Sequence, residues 1–291
     1  MTISVVTGAN SGIGRATAIH LAQQGHVVYG TVRSVDKAAK LLAMAAAAGA
    51  EVNLVELDVA DDESVRAGFA RILEETGGHV DVLVNNAGVG GNAVAEECPP
   101  STYLEVMNIN LCGAVRCLQQ VLPSMRSRLG GTIVNISSIA GRVAALSQSP
   151  YVASKWALEG LSEGLAQELA PFGIRVAIIE PGVTKSSIFA KNVDAPNTTG
   201  AYDAHYRRLF QFYATGHSQA TDPLEVARLI HHAITTDTPR LRYPVSWAGP
   251  EFVNGRQAMS DEEWVALGAH ADDAKYYAAF QSAFGLDIAN P

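Results

Sequence analysis

Residues 3–179 alternate between short β-branched runs and stretches of helical period, with only a few residues between them. Ile3-Ser4-Val5-Val6 is an apolar run that stops at Thr7-Gly8. Ala16, Ile19 and Ala22 then recur at helical spacing until Gly25, which suits the left-handed residue just past a helix end. His26–Thr31 is a second strand, an Ala-rich helix over 36–48 ends at Gly49, and Val52–Leu57 is a third strand. Asp61 caps a helix running to Glu75, and Val80–Val84 is a fourth strand. A helical stretch over 101–128, the strand Thr132–Ile136, a helix from Pro150 to Pro171 and the strand Ile174–Ile179 complete the series. Such alternation with short links dictates parallel strands joined by right-handed crossovers, with helices on both faces. The composition agrees: 48% of residues are hydrophobic and 17% charged, which suits strands buried on both sides. The expected fold is therefore a doubly wound parallel α/β sheet, one domain over 1–291, with ligands beyond the carboxyl ends of the strands.

Beyond Gly182 the pattern loosens. Residues 183–221 carry Thr, Ser, Asn, Gly and aromatics with little period, a length that is unusual unless it covers a site. They are expected to form a substrate lid. A helix over 222–236 and a short strand near Arg242–Val245 follow. Residues 246–291 form a C-terminal extension with helical patches over 261–267 and 272–284.

The formal net charge of −8 argues against nucleic acid or an anionic membrane as partner, since neither would meet a basic patch. Cys98, Cys112 and Cys117 show no paired or metal-ligand spacing, as expected of free thiols in a reducing compartment. His217, His231 and His232 have no identifiable acidic partner, so no metal is assigned. No secretory signal is visible in the sequence, so none is expected, and no apolar run approaches the ~20 residues that span a bilayer. A cytoplasmic location is expected.

Thr7-Gly8-Ala9-Asn10-Ser11-Gly12-Ile13-Gly14 lies between the first strand and the first helix. Gly8 permits a tight turn, Gly12 lets the backbone approach a pyrophosphate, and Gly14 lets helix pack on strand. Exposed N–H groups and the helix dipole favour an anion there. The glycine spacing and its place after the first strand resemble the fingerprint of the short-chain dehydrogenase/reductase superfamily. That resemblance implies a Rossmann fold, and the superfamily's other motifs follow in order over residues 2–190.

Tyr151-Val152-Ala153-Ser154-Lys155 puts a phenol and an amine four residues apart, on one helix face. An ammonium nearby favours the phenolate, and a phenol so tuned exchanges a proton with a carbonyl or alcohol oxygen. The resemblance makes Tyr151 the general acid/base and Lys155 the residue that also holds the nicotinamide ribose. Ser138, thirteen residues before Tyr151, matches the serine that stabilises charge on the substrate oxygen, with Ser137 as its competitor. Asn110, in Asn108-Ile109-Asn110-Leu111, matches the asparagine that interrupts a helix and holds a water leading to the lysine. Asn85-Asn86-Ala87-Gly88 matches a further motif, with Asn85 and Asn86 pinning strand ends and Ala87 and Gly88 leaving room for a ribose. Asp58-Val59 matches the pair that contacts adenine, though Asp58 also suits a loop cap. Pro181-Gly182-Val183-Thr184 matches the loop that meets the carboxamide, and Thr184, Ser186 and Ser187 compete for the contact.

The second strand ends Tyr29-Gly30-Thr31-Val32-Arg33-Ser34, with no acid before Asp36. An acid there would accept from a 2′-hydroxyl and select NAD; Arg33, with Ser34 or Ser11, suits the 2′-phosphate of NADP. The expected cofactor is NADP rather than NAD. Thr31–Ser34, Tyr151–Leu161 and Ile179–Gly182 are nearest to 17β-hydroxysteroid and retinol dehydrogenases. The loops hold Val94, Val143, Leu146, Ile188, Phe189, Tyr202, Tyr206, Phe210, Phe212 and Tyr213, which suits a hydrophobic ketone, aldehyde or alcohol. Superfamily dehydratases and epimerases carry TGxxGxxG and a longer substrate domain, which this chain lacks. The rival from another class is a non-catalytic dinucleotide-binding sensor or scaffold. The resemblance also implies a homodimer or homotetramer through the helical stretches 101–128 and 150–171.

Overall fold

The computed structural model describes residues 1–186 and 196–290. Among these, seven strands form one sheet: β1 (Ile3–Val6), β2 (Val27–Val32), β3 (Asn53–Glu56), β4 (Val82–Asn85), β5 (Gly131–Ile136), β6 (Ile174–Pro181) and β7 (Arg242–Val245). Their order is β3-β2-β1-β4-β5-β6-β7, and every pairing is parallel. The order reverses between β1 and β4, so connections leave to opposite faces there and open a crevice at the carboxyl ends. The chain is a single doubly wound α/β domain.

The helices are α1 (Gly12–Gln23), α2 (Ala39–Ala47), α3 (Asp62–Glu75), α4 (Pro100–Met107), α5 (Gly113–Ser127), α6 (Ser149–Leu169), α7 (Asp203–Ser218), α8 (Pro223–Thr235), α9 (Gly249–Ala258), α10 (Asp261–Gly268) and α11 (Asp273–Phe284). Side chains alternate across each strand, so neighbouring residues feed different cores. Val5, Leu83 and Ile133 meet Phe69 and Ile72 of α3, Val121 of α5 and Leu165 of α6. Val6, Val84 and Val134 meet Leu21 of α1, Leu41 of α2 and Ile230 of α8. Asp61 caps α3 as its sequence implies, its side chain accepting from Ser64 N at 2.7 Å.

Three stretches depart from the pattern read in the sequence. The helical stretch 101–128 is interrupted by a π-helical turn over Asn108–Cys112. Residues 203–218 of the supposed aperiodic segment form α7. Its inward face includes Arg208, 2% exposed, whose Nε meets Asp273 Oδ1 at 2.8 Å and whose guanidinium lies 4.4 Å from the centre of the Tyr276 ring. An arginine on the buried stripe hides the apolar period, and its partner is 65 residues away. Helix α9 carries no cap signal, because its N-cap, Ala248, takes a left-handed φ of 64° and makes no side-chain cap.

Helices α9, α10 and α11 bury a third core, in which the rings of Phe252, Phe280 and Phe284 meet tilted or edge-on with centroids 4.6–5.6 Å apart. Ile139 and Val143, from the segment between β5 and α6, belong to it, so the extension packs directly on the mouth of the crevice. Phe280→Ala should cost about 3–5 kcal/mol, the range for emptying a buried ring site. Urea unfolding should show it as a lower midpoint.

Candidate active site

The crevice is a cavity of about 1100 Å³ running from Arg33 to Phe252. Its floor is the turn between β1 and α1. Gly8 and Gly12 adopt φ of 67° and 53°, which glycine takes without strain. A side chain on Gly14 would collide with Gly8 O at 2.5 Å. Asn86 explains that crowding: its Nδ2 donates to Thr7 O at 2.8 Å, and the N–H groups of Asn86 and Ala87 donate to Thr7 Oγ1 at 2.9 and 3.0 Å. Asn86 therefore pins the ends of β1 and β4 while also lining the cavity, as do Gly8, Asn10, Ser11, Gly12, Ile13, Ala87 and Gly88. Gly14 shapes the turn without lining it. Asn10 Nδ2 donates to Lys37 O at 3.1 Å, and its Oδ1 is buried with no protein partner.

At the far end β2 delivers Arg33 and Ser34 to the cavity wall, beside Arg15, Lys37 and Lys40. Arg15 Nε donates to Asn10 O at 3.0 Å. Arg33, Lys37 and Lys40 enter no ion pair among the described residues. Four cations at one end of a groove make a strong anion site. Asp58 does both things its sequence allowed: its Oδ1 accepts from Ala60 N at 2.9 Å as a turn cap, and it lines the cavity with Val59.

The reactive cluster lies at the carboxyl end of β5 and the start of α6. Lys155 is 5% exposed; its Nζ donates to Ile136 O at 2.8 Å and lies 5.7 Å from the centre of the Tyr151 ring. Burial pulls the lysine down to about 8, opposed by the charge of Glu159. Ser138 Oγ accepts from Ala140 N at 3.1 Å and donates to Pro181 O at 3.4 Å. Burial raises the Tyr151 phenol, while the hydrogen bond with Ser138 acts to lower it. The sequence-based expectation of a lowered phenol pKa is thus corrected, since removal from water outweighs the neighbouring groups. The Tyr151 contact also favours Ser138 over Ser137, whose Oγ is buried without a protein partner.

Asn110 sits in the π-helical turn, 2% exposed. Its Oδ1 accepts from Val89 N at 2.9 Å, and its Nδ2 donates to Val89 O at 3.0 Å and Ser154 Oγ at 2.9 Å. Ser154 Oγ in turn donates to Tyr151 O at 2.7 Å, so Asn110 braces α6 at the turn that bears the tyrosine. A second cavity of about 10 Å³, the size of one water, lies among Asn85, Asn110, Thr7 and Ile136.

The remaining wall is apolar. Pro181, Gly182, Val183 and Thr184 line it from β6 onward. Gly182 N donates to Val245 O at 2.8 Å and Val183 N to Trp247 O at 2.9 Å, which fixes this loop to β7 and its outlet. Thr184 Oγ1 shares a hydrogen bond of 2.8 Å with Ser246 Oγ, and Ser186 reaches the cavity beside Gly12. Ser187, Ile188 and Phe189 lie outside the described residues. Val143, Phe212 and Phe252 face the same space, together with Gln148 and Tyr213.

A family model for short chain dehydrogenases matches residues 2–197. Mouse 17-beta-hydroxysteroid dehydrogenase type 1 is 38% identical over 255 residues, covering 83% of this chain and 73% of that protein. The solved structure of a short-chain dehydrogenase from Streptomyces avermitilis superposes with a TM-score of 0.80 at 35% identity, covering 92% of this chain and 98% of that one. A metagenomic short-chain oxidoreductase in complex with NADP gives 0.67 at 28% identity, covering 84% and 96%. The chain belongs to the short-chain dehydrogenase family.

Within this family member, sequence reading missed Arg15, Lys37, Lys40, Gln148 and Phe252 as wall residues. Helical spacing from Lys37 to Lys40 was the available signal for the cations. Nothing local marked Phe252, which reaches the cavity only through the packing of the C-terminal core. Asn110→Leu should strand the Val89 N–H and C=O, at roughly 1–3 kcal/mol per buried group left without a partner. A fall in the urea midpoint without change in far-UV circular dichroism is the expected result.

Proposed function

We propose that the chain is an NADP(H)-dependent oxidoreductase that interconverts a hydrophobic ketone or aldehyde and its alcohol, with Tyr151 as general acid/base. The observation that carries this is the place of Ser138, Tyr151 and Lys155 where the glycine-floored half of the cavity meets its apolar half. The residues present fit a dinucleotide: glycines where side chains would collide, a helix N-terminus facing the groove, and a cationic far end. NADPH, when bound, supplies the hydride. Gly8, Asn10 to Ile13, Asp58, Val59, Asn86 to Gly88 and Pro181 to Thr184 would hold it, and Arg33, Ser34, Ser11 and Arg15 would bind its 2′-phosphate.

Tyr151 donates its phenolic proton to the substrate oxygen in reduction and recovers one in oxidation. Ser138 hydrogen-bonds the same oxygen as charge develops there. Lys155 favours the phenolate, and its ammonium holds the ribose. Asn110 orders one water in the small cavity as a link toward Lys155. Val183, Thr184, α7 and Phe252 close the apolar half around a neutral substrate. The relative named as a 17-beta-hydroxysteroid dehydrogenase and the NADP-bound neighbour support this reading. We also propose a homo-oligomer, since Leu104 of α4 and Trp156 of α6 are 71% and 50% exposed on helices packed together.

Tyr151→Phe should lower kcat by about 100-fold or more, the usual contribution of a positioned acid or base, while NADPH binding persists. Turnover of no carbonyl by the unaltered chain, with NADPH still bound, would instead make it a dinucleotide sensor. Arg33→Asp should reverse the NADPH/NADH ratio of kcat/KM. An unchanged ratio would remove the 2′-phosphate assignment.

A further inference from the structure

Tyr151, Lys155 and Glu159 recur every fourth residue along α6, so their side chains stand in a column on one helix face. The chemistry above uses the first two. Glu159 is 4% exposed, and a carboxylate is costly to bury unless it is paired. Its Oε2 accepts from Arg242 Nε at 3.0 Å, while its Oε1 is buried with no protein partner. Arg242 is shared: it bonds Glu163 Oε2 at 2.6 Å and lies 3.6 Å from Glu180 Oε1. Glu180 is fully buried and held by Arg142 at 3.0 Å. Three carboxylates thus face two guanidiniums; burial and the charge of Glu159 both raise the Glu180 carboxyl, and Glu163 is largely open to solvent.

The fold makes room for Glu159 at this place. Gly141 has no side chain, and a Cβ there would lie 2.9 Å from Glu159 Cγ, 2.6 Å from Ser137 Oγ and 3.1 Å from Lys155 O. The Glu159 side chain therefore packs against Gly141, beside the Ser137 hydroxyl and the backbone of Lys155.

We propose that Glu159 is a positioning residue for Lys155: it is the counter-charge that keeps the lysine protonated at neutral pH, one helical turn behind the reactive face. The other titratable or charged groups facing this column are few. The segment before α6 presents Arg142, β6 presents Glu180, β7 presents Arg242, and α6 itself adds Tyr151 and half-exposed Glu163. Helix α4 contributes Tyr103, bonded to Ser149 Oγ at 2.6 Å, and solvent-exposed Glu105. The π-helical turn offers only neutral Asn110. Burial lowers the lysine and Glu159 opposes that fall, which is the sign the arrangement requires. The inference rests on the reading of Lys155 as the residue that serves Tyr151 and the cofactor.

The test is a direct titration of the lysine in the full chain. Lysine labelled with 13C at Cε is followed by NMR from pH 6 to 10, with the Lys155 signal identified by its loss in Lys155→Met. Glu159→Gln should lower its midpoint by about one unit, the scale of a lost opposite charge at close range. Glu180→Gln removes a carboxylate bonded to Arg142 and should leave the midpoint in place. In turnover, the alkaline limb of the kcat/KM profile should move to lower pH in Glu159→Gln alone. A midpoint that does not move in Glu159→Gln, or that moves equally in both variants, overturns the proposal. If Glu159→Gln does not fold with Arg242 uncompensated, the double change E159Q/R242M is compared with R242M alone; a lower midpoint in the double change supports the proposal and equal midpoints overturn it. Absence of turnover in the unaltered chain would count against the proposed reaction, while the NMR midpoint would still decide the role of Glu159.

Discussion

Thr7 joins the carboxyl end of β1 to Asn86 and Ala87, just past β4, through three hydrogen bonds of 2.8–3.0 Å, and the site is organised from that seam. The two strands separate just beyond it, because their connections run to opposite faces of the sheet. A second chain of polar contacts continues sideways. Asn85 Nδ2 donates to Asn135 Oδ1 at 2.9 Å, Asn135 Nδ2 to Ser162 Oγ at 2.8 Å, and Ser162 Oγ to Leu158 O at 2.6 Å. Buried amides of this kind are costly unless paired, so they fix one arrangement of β4, β5 and α6. Tyr151 and Lys155 are placed by α6, and the glycine floor is placed by the seam. The distance between the floor and the reactive cluster is therefore set by rigid elements rather than by loops.

The same rigidity explains how a lysine sits 5% exposed at a carboxyl strand end. Its Nζ takes a backbone carbonyl as acceptor, Ile136 O at 2.8 Å, and an acidic neighbour lies one turn further along the helix. The charged groups around it are supplied by four separate stretches: α6, the segment before it, β6 and β7. A local sequence window contains none of these pairings beyond α6 itself.

The C-terminal extension closes the cavity from outside the sheet. Its clustered phenylalanines pack on Ile139 and Val143, and Phe252 reaches through to the wall. Helix α7 is held to the rest of the molecule by polar bonds as well as by Phe212, which packs on Trp247, Phe252 and Phe280. Tyr206 accepts from Val94 N at 3.1 Å, Tyr213 donates to Asn92 Oδ1 at 2.9 Å, and Arg208 meets Asp273. Hydroxyls and a guanidinium share the docking of this helix with its apolar residues. The apolar half of the cavity is thereby roofed by residues from α7 and the extension together.

Period and punctuation settle the sheet in advance: β-branched runs, Gly25 and Gly49 as helix stops, and the Asp61 cap all act within a few residues. The same holds for the glycine turn and for the Tyr151–Lys155 pair, whose spacing is a property of one helix. Tertiary structure decided what depends on partners far along the chain. Helix α7 was hidden because Arg208 is buried by Asp273, and α9 because Ala248 takes a left-handed turn in place of a side-chain cap. Arg15, Lys37 and Lys40 joined Arg33 only when α1, α2 and β2 were brought to one end of the groove. The phenol of Tyr151 moved up rather than down because burial is set by the whole fold, whereas the sequence displayed only the nearby lysine.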